Sequence, residues 1–212
     1  MPGRRRRLIG LALLPALLPL LAACGKKVRG QPVAAGATVL ALGDSITFGL
    51  GAAPQESYPE VLAKLTGWKV VNAGISGDTS AQALARLPAL LEEHRPALVL
   101  VSIGGNDFLR RMPETATRAN IRSICQQAKA AGAQVLLVAV PAFSLAAAIG
   151  SLSDHVLYAE LAEELKLPLH AGGWSTVLAD PALRSDAIHG NAQGYARFAQ
   201  GLAETTRASG MR

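Results

Sequence analysis

Thr38-Val39-Leu40-Ala41-Leu42-Gly43-Asp44-Ser45 is an apolar run that stops abruptly in glycine, aspartate and serine. A short apolar run closed by turn residues reads as a buried strand. Ser45 then stands where a first strand gives way to a loop or helix. That is the carboxyl edge of a sheet, where open α/β sheets hold their ligands. Asp44-Ser45 also suits a plain helix cap, since both side chains accept from free N–H groups. Alone, the stretch leaves both readings open.

Outward from it, apolar runs alternate with helical patterns. Strands are predicted at Thr38 to Leu42, Trp68 to Ala73, Ala97 to Ile103, Gln134 to Val140 and Leu167 to His170. Helices are predicted at Tyr58 to Leu65, Thr79 to His94, Asn120 to Ala131, His155 to Leu165 and Asn191 to Ala203. Pro88 is expected to break the second helix, because proline has no N–H to donate. The alternation argues for an α/β fold with a parallel sheet of five strands and helices on both faces. Right-handed crossovers bring every strand's carboxyl end to one edge. Only 4% of the residues are aromatic, so the core is expected to be Leu, Val, Ala and Ile.

Ahead of the first strand, residues 1–23 read as a signal peptide, with Arg4 to Arg7 before an apolar stretch from Leu8 to Leu21 and small residues at Ala22 and Ala23. Pro15 and Pro19 interrupt that stretch, and it is short for a transmembrane helix. Leu21-Ala22-Ala23-Cys24 resembles a bacterial lipobox, which implies a lipid on Cys24 and a place in the cell envelope, on the periplasmic face. Gly25 after it resembles the pattern sent on to the outer membrane. Residues 24–37 are expected to be a flexible, solvated tether, rich in Gly, Ala and Pro, and residues 38–212 the single domain. Removing the four leader arginines takes the formal net charge from +6 to +2. No concentrated basic face stands out, so nucleic acid is not an expected partner. Cys125 shares helical spacing with Ile121, Ile124 and Ala128 and reads as a small buried hydrophobe.

Polar clusters follow three predicted strands, and a fourth precedes the last helix. They are Gly43-Asp44-Ser45, Gly74-Ile75-Ser76-Gly77-Asp78-Thr79-Ser80, Gly104-Gly105-Asn106-Asp107 and Asp186-Ala187-Ile188-His189. A serine hydroxyl is a weak nucleophile until a base takes its proton. Histidine is the natural base near neutral pH, and a carboxylate behind it fixes the tautomer. Asp186 and His189 are three apart, so a tight loop lets both point one way. Donors for a tetrahedral oxyanion are on hand in the Ser45 N–H, the Gly77 N–H and the Asn106 amide. Convergence of these groups is what acyl transfer requires. Taken singly, Asp186 suits a cap of the last helix, Gly77 an ordinary turn, and Gly104 to Asp107 another.

In this order and after these strands, the blocks resemble the SGNH, or GDSL-type, hydrolases, with Ser45, Gly77, Asn106 and His189 at the name-giving positions. The bacterial arylesterases and the multifunctional thioesterase/lysophospholipase group are the nearest in pattern. The resemblance runs from Thr38 to Ala208. It implies a flavodoxin-like three-layer α/β/α sandwich, Ser45 as nucleophile, His189 as base, Asp186 as its orienting acid, and oxyanion donors from Ser45, Gly77 and Asn106. It implies hydrolysis of aryl or short-to-medium acyl esters, with thioesters and lysophospholipids within its range. An acetyl esterase acting on envelope carbohydrate uses the same residues, and a non-catalytic surface lipoprotein keeping the fold is the other alternative. Gly190 departs from the family's usual proline and is expected to loosen the catalytic loop. No metal-ligand spacing or phosphate-binding glycine loop occurs, so no cofactor is indicated. Ala142 to Leu152 reads either as a core helix or as a mobile apolar flap. His94 is expected to be solvated, and His170 to be a satisfied core or rim histidine.

Overall fold

The computed structural model describes residues 28–142 and 152–212. Its strands are β1 (Thr38–Gly43), β2 (Lys69–Gly74), β3 (Leu98–Ser102), β4 (Gln134–Val138) and β5 (Leu169–His170). All pair in parallel, in the order β2-β1-β3-β4-β5. The chain reverses its direction of travel between β1 and β3, which makes that boundary a topological switch point. The register sets Gly43 beside Gly74 and Ser102, so the loops after β1, β2 and β3 leave the sheet at one level.

The helices are α1 (Ser45–Phe48), α2 (Tyr58–Thr66), α3 (Ser80–His94), α4 (Gly105–Leu109), α5 (Glu114–Ala130), α6 (Val156–Leu165), α7 (Gly173–Ala179) and α8 (Ala192–Ala208). Strand side chains alternate between two cores. Leu40, Leu42, Val99 and Val101 pack with α3, α5 and α6, whereas Val39, Ala41, Leu98 and Leu100 pack with α2, α7 and α8. The three-layer α/β/α sandwich is thus the observed fold.

Three expectations need correction. The core is not purely aliphatic: Tyr58, Trp174, Tyr195 and Phe198 are all buried in the second layer. Trp174 stacks on Phe198 at 3.6 Å, and Tyr58 meets both edge-on. Tyr158 is likewise buried in the first layer, and each large ring contributes about 2–3 kcal/mol by burial, so few suffice. Pro88 does not break α3, which runs unbroken from Thr79, its N-cap, to His94. Pro88 lies on the exposed face, where water can bond the freed carbonyl, while Ala83, Leu87 and Leu91 hold the buried face. Finally, the expected tether is bound to the domain from Gly30 on. Gly30 and Val33 donate to the carbonyls of Ser209 and Met211 at 2.8 Å, the Trp68 indole donates to Val33 at 3.1 Å, and Val33 is buried. The leader, Cys24 and Phe143 to Ser151, most of the proposed flap, lie outside the described residues. Among the described residues, no helix is long and apolar enough to cross a membrane.

Candidate active site

The switch point carries Ser45. Gly43 ends β1 where a Cβ would collide with Thr47 Oγ1 and the Ser102 carbonyl, so only glycine lets α1 fold so tightly over the strand end. Asp44 caps α1, its Oδ1 accepting from the Ile46 N–H at 3.1 Å. The aspartate is therefore a cap while the serine beside it faces an imidazole. Both first readings of the pair hold at once.

His189 Nε2 lies 2.9 Å from Ser45 Oγ, and His189 Nδ1 lies 2.8 Å from Asp186 Oδ2. The other Asp186 oxygen accepts from the Ile188 and His189 N–H groups at 2.8 and 2.9 Å. The three-residue spacing thus wraps a loop around one carboxylate. Burial works to raise the Asp186 carboxyl, but hydrogen bonds from the His189 ring and the two N–H groups outweigh it and hold it below its ordinary value. An ionised Asp186 accepts from Nδ1–H, which leaves the Nε2 lone pair facing the serine hydroxyl. Asp186 does not cap α8; Asn191 does, accepting from the Gly194 N–H at 3.0 Å. Nor is the loop loose at Gly190, which bridges Arg184 while the Ser185 N–H donates to the His189 carbonyl at 2.9 Å.

Gly77 turns the loop after β2 at φ 86°, in the left-handed region that favours glycine. Its carbonyl accepts from Arg110 at 3.0 Å. Asn106, in the first turn of α4, donates one amide hydrogen to the Asp78 carbonyl at 3.0 Å, tying the loops after β2 and β3 together. The other hydrogen has no partner among the described residues. Asn106, Leu109, Ile188 and His189 line a cleft of about 20 Å³ beside Ser45, room for about one water. Gly77 does not line that cleft.

Residues assigned no role from the sequence hold these groups in place. Asp107 is fully buried, accepting from the Ser80 N–H at 2.8 Å, from Ser80 Oγ at 2.5 Å and from Thr117 Oγ1 at 3.2 Å. Arg86 donates to Asp78 and to the Gly43 carbonyl, both at 2.8 Å, bracing α3 against the end of β1. An acid directly after Asn106 and an arginine inside α3 were the available clues, and neither type is unusual there. Burial pushes the Asp44 carboxyl up to about 7; the Ile46 N–H opposes this, and the charges of Asp107 and Asp78 add to it.

The remaining histidines stay outside the site. His170 is buried and bonds Thr205 Oγ1 through Nδ1 at 2.8 Å, but Nε2 has no partner, so it is only half satisfied. His155 caps α6 and stacks on Phe108 at 4.2 Å. His94 is half-buried rather than fully solvated, 3.7 Å from Glu93. Cys125 is buried, its thiol pushed up to about 12 mainly by desolvation. Among the described residues, no cluster of His, Cys, Asp or Glu has the makings of a metal site.

The GDSL-like lipase/acylhydrolase family matches residues 41–197. Esterase TesA of Pseudomonas aeruginosa is 45% identical over 126 residues, 57% of this chain and 63% of that protein. The thioesterase 1/protease 1/lysophospholipase L1 of Escherichia coli K12 is 41% identical over 164 residues, 74% of this chain and 77% of its own. A crystal structure of TesA superposes with a TM-score of 0.72 at 34% identity, covering 81% of this chain and 99% of that one.

Proposed function

The chain belongs to the GDSL-like lipase/acylhydrolase family, and from that premise we propose that it hydrolyses carboxylic esters through an acyl-enzyme on Ser45. One observation carries the reading: the unbroken hydrogen-bonded line from Ser45 Oγ through both His189 nitrogens to Asp186. His189 Nε2 takes the hydroxyl proton as Oγ attacks the ester carbonyl carbon. The oxyanion is met by the Ser45 N–H, left free at the first position of α1, and by the spare Asn106 hydrogen, with the Gly77 N–H, outside the cleft itself, as the third donor that the family resemblance implies. The imidazolium returns its proton to the leaving alkoxide or thiolate. Water, deprotonated by His189, then attacks the acyl carbonyl and frees Ser45.

The cleft itself is narrow, so acyl groups longer than acetate extend beyond it past the exposed Leu109 of its lining. That favours aryl and short-to-medium acyl esters, with thioesters and lysophospholipids as longer candidates in line with the names of the relatives. The leader and Cys24 add a lipid anchor, which puts the enzyme on the periplasmic face of the cell envelope, in the outer membrane.

The test is turnover of a p-nitrophenyl ester series by wild type, Ser45→Ala and His189→Ala. Either single variant abolishes nearly all hydrolysis, and the double variant is little worse, because the two groups act as one unit. Normal turnover by Ser45→Ala sinks the mechanism. A strict preference for acetate across the series sinks the assignment to longer acyl groups.

A further inference from the structure

The strands' amino ends form the sheet edge opposite Ser45. Helices α2, α3, α5 and α6 return to it, and every one of their junctions with the next strand carries an exposed cation. Lys69 opens β2, Arg95 follows α3, Lys129 ends α5 and Lys166 follows α6. Exposed Arg29 and Arg212 lie on the same edge, where the incoming chain hydrogen-bonds the end of the molecule at Ser209 and Met211. Arg29, Lys129 and Lys166 frame one concavity of about 240 Å³. The acids nearby are Glu92, Glu93, Glu163, Glu164 and Glu204, and Glu164 is neutralised by Arg122 at 2.6 Å. The catalytic edge is mixed, gathering Asp44, Asp78, Asp107 and Asp186 beside Arg86, Arg110 and Arg111. No run of residues in the sequence announces the basic face; the fold assembles it from junctions far apart in the chain.

Helix dipoles favour a cation at a helix C-terminus, which accounts for Lys129 and for the C-caps Arg95 and Lys166. They do not account for Lys69 at a strand start or for Arg29 in the incoming segment. A second observation concerns the backbone. Arg95 and Lys166 occupy left-handed positions at φ 41° and 51°, a conformation supplied without strain by Gly67 and Gly132 at the other two junctions. Arg111 takes the same conformation at φ 53° on the catalytic edge, so strain does not single out this face; the gathering of Lys69, Arg95, Lys129, Lys166, Arg29 and Arg212 there does.

The place where the chain enters says what that face meets. Cys24 precedes Val28 by four residues, a span of at most about 14 Å, and Lys26 and Lys27 lie between them. We propose that this basic edge lies on an anionic phospholipid surface, so that the protein holds Ser45 away from the membrane that carries it. Ser45 then stands more than about 20 Å from the headgroups, the length of a six-residue strand, and takes substrate from the aqueous side. The orientation rests on the catalytic reading of Ser45; the surface binding does not.

The test uses residues 28–212, which hold both cores and all five described strands, and whose solved relative is matched over 99% of its own chain. Co-sedimentation is measured with phosphatidylcholine vesicles, alone and with about a quarter phosphatidylglycerol. Binding is expected only to the anionic vesicles and weakens with salt. Lys129→Glu with Lys166→Glu weakens it by about tenfold or more. Lys166→Gly relieves backbone strain, folds at least as well, and still binds more weakly. Arg111→Glu, on the catalytic edge, leaves binding unchanged. Equal sedimentation with neutral vesicles, an equal loss from Arg111→Glu, or equally tight retention by duplex DNA at the same salt overturns the proposal. Vesicle-bound protein hydrolyses a soluble p-nitrophenyl ester at the unbound rate. If binding stands but that hydrolysis is blocked, the orientation is wrong; if even unbound protein is inactive, it is the catalytic reading that fails.

Discussion

Asp44 sits beside the proposed nucleophile with its carboxyl raised from 3.8 to about 7, chiefly by burial. Between those values the folded protein keeps a proton that the unfolded chain has released. Its contribution to stability is therefore complete below pH 3.8 and is lost as pH rises through about 7. From pH 5 to pH 8 the carboxyl crosses about 2 units of that interval, and at 1.36 kcal/mol per unit the loss is about 3 kcal/mol. That is a large share of the roughly 5–15 kcal/mol that holds a domain folded. Asp44→Asn has no proton to lose, and its amide oxygen still accepts from the Ile46 N–H, so the cap of α1 survives. Urea unfolding of both proteins at pH 5 and pH 8 reads the effect directly. The variant's stability advantage over wild type grows by about 3 kcal/mol between pH 5 and pH 8. Other titrating groups are shared and cancel in the difference. Parallel stability curves for the two proteins refute the reasoning, because they mean that Asp44 is already ionised in the fold at pH 5.

Asn106→Ala removes one oxyanion donor and lowers kcat by about 10²–10³ with little change in KM, measured on a p-nitrophenyl ester. A loss confined to KM contradicts the role. Asp107→Ala leaves the Ser80 and Thr117 donors facing a buried void and destabilises the protein by about 3–5 kcal/mol in urea unfolding. Asp107→Asn, which keeps an acceptor for the Ser80 N–H, recovers part of that. His170 is lowered to about 4 mainly by burial, with Asp154 pulling the other way. Its contribution to stability is lost as pH falls from 6.5 towards 4, and His170→Gln makes that part of the acid limb shallower.

Period and punctuation made the sheet legible. The apolar runs ending in Gly43-Asp44 and Ser102 are strands buried on both faces, which is what removes polar alternation from a sequence, while the run ending in Ala73-Gly74 is the half-exposed edge strand. The same three breaks gave the positions of Ser45, Gly77 and Asn106, since chain order and strand polarity bring them to one edge without any knowledge of contacts. Short helices escaped because α4 and α7 are too brief for a 3.6-residue period to show. Pro88 was misjudged for a related reason: its cost depends on which face it occupies, and that is set by what packs on Leu87 and Leu91. Asp44, Asp107 and Arg86 were hidden for a deeper reason. Charged residues read as surface by default, yet Asp107 and Arg86 are drawn inward by partners supplied from distant segments, and Asp44 is buried as the cap of α1 with a partner only two residues on. Asp107 needs Ser80 and Thr117, and Arg86 needs Asp78 and the Gly43 carbonyl. A buried charge is tolerable only when such partners are all in place. The proposed reacting groups of this site are thus written in local order along the chain, whereas the polar frame that aims them exists only once the sheet has closed.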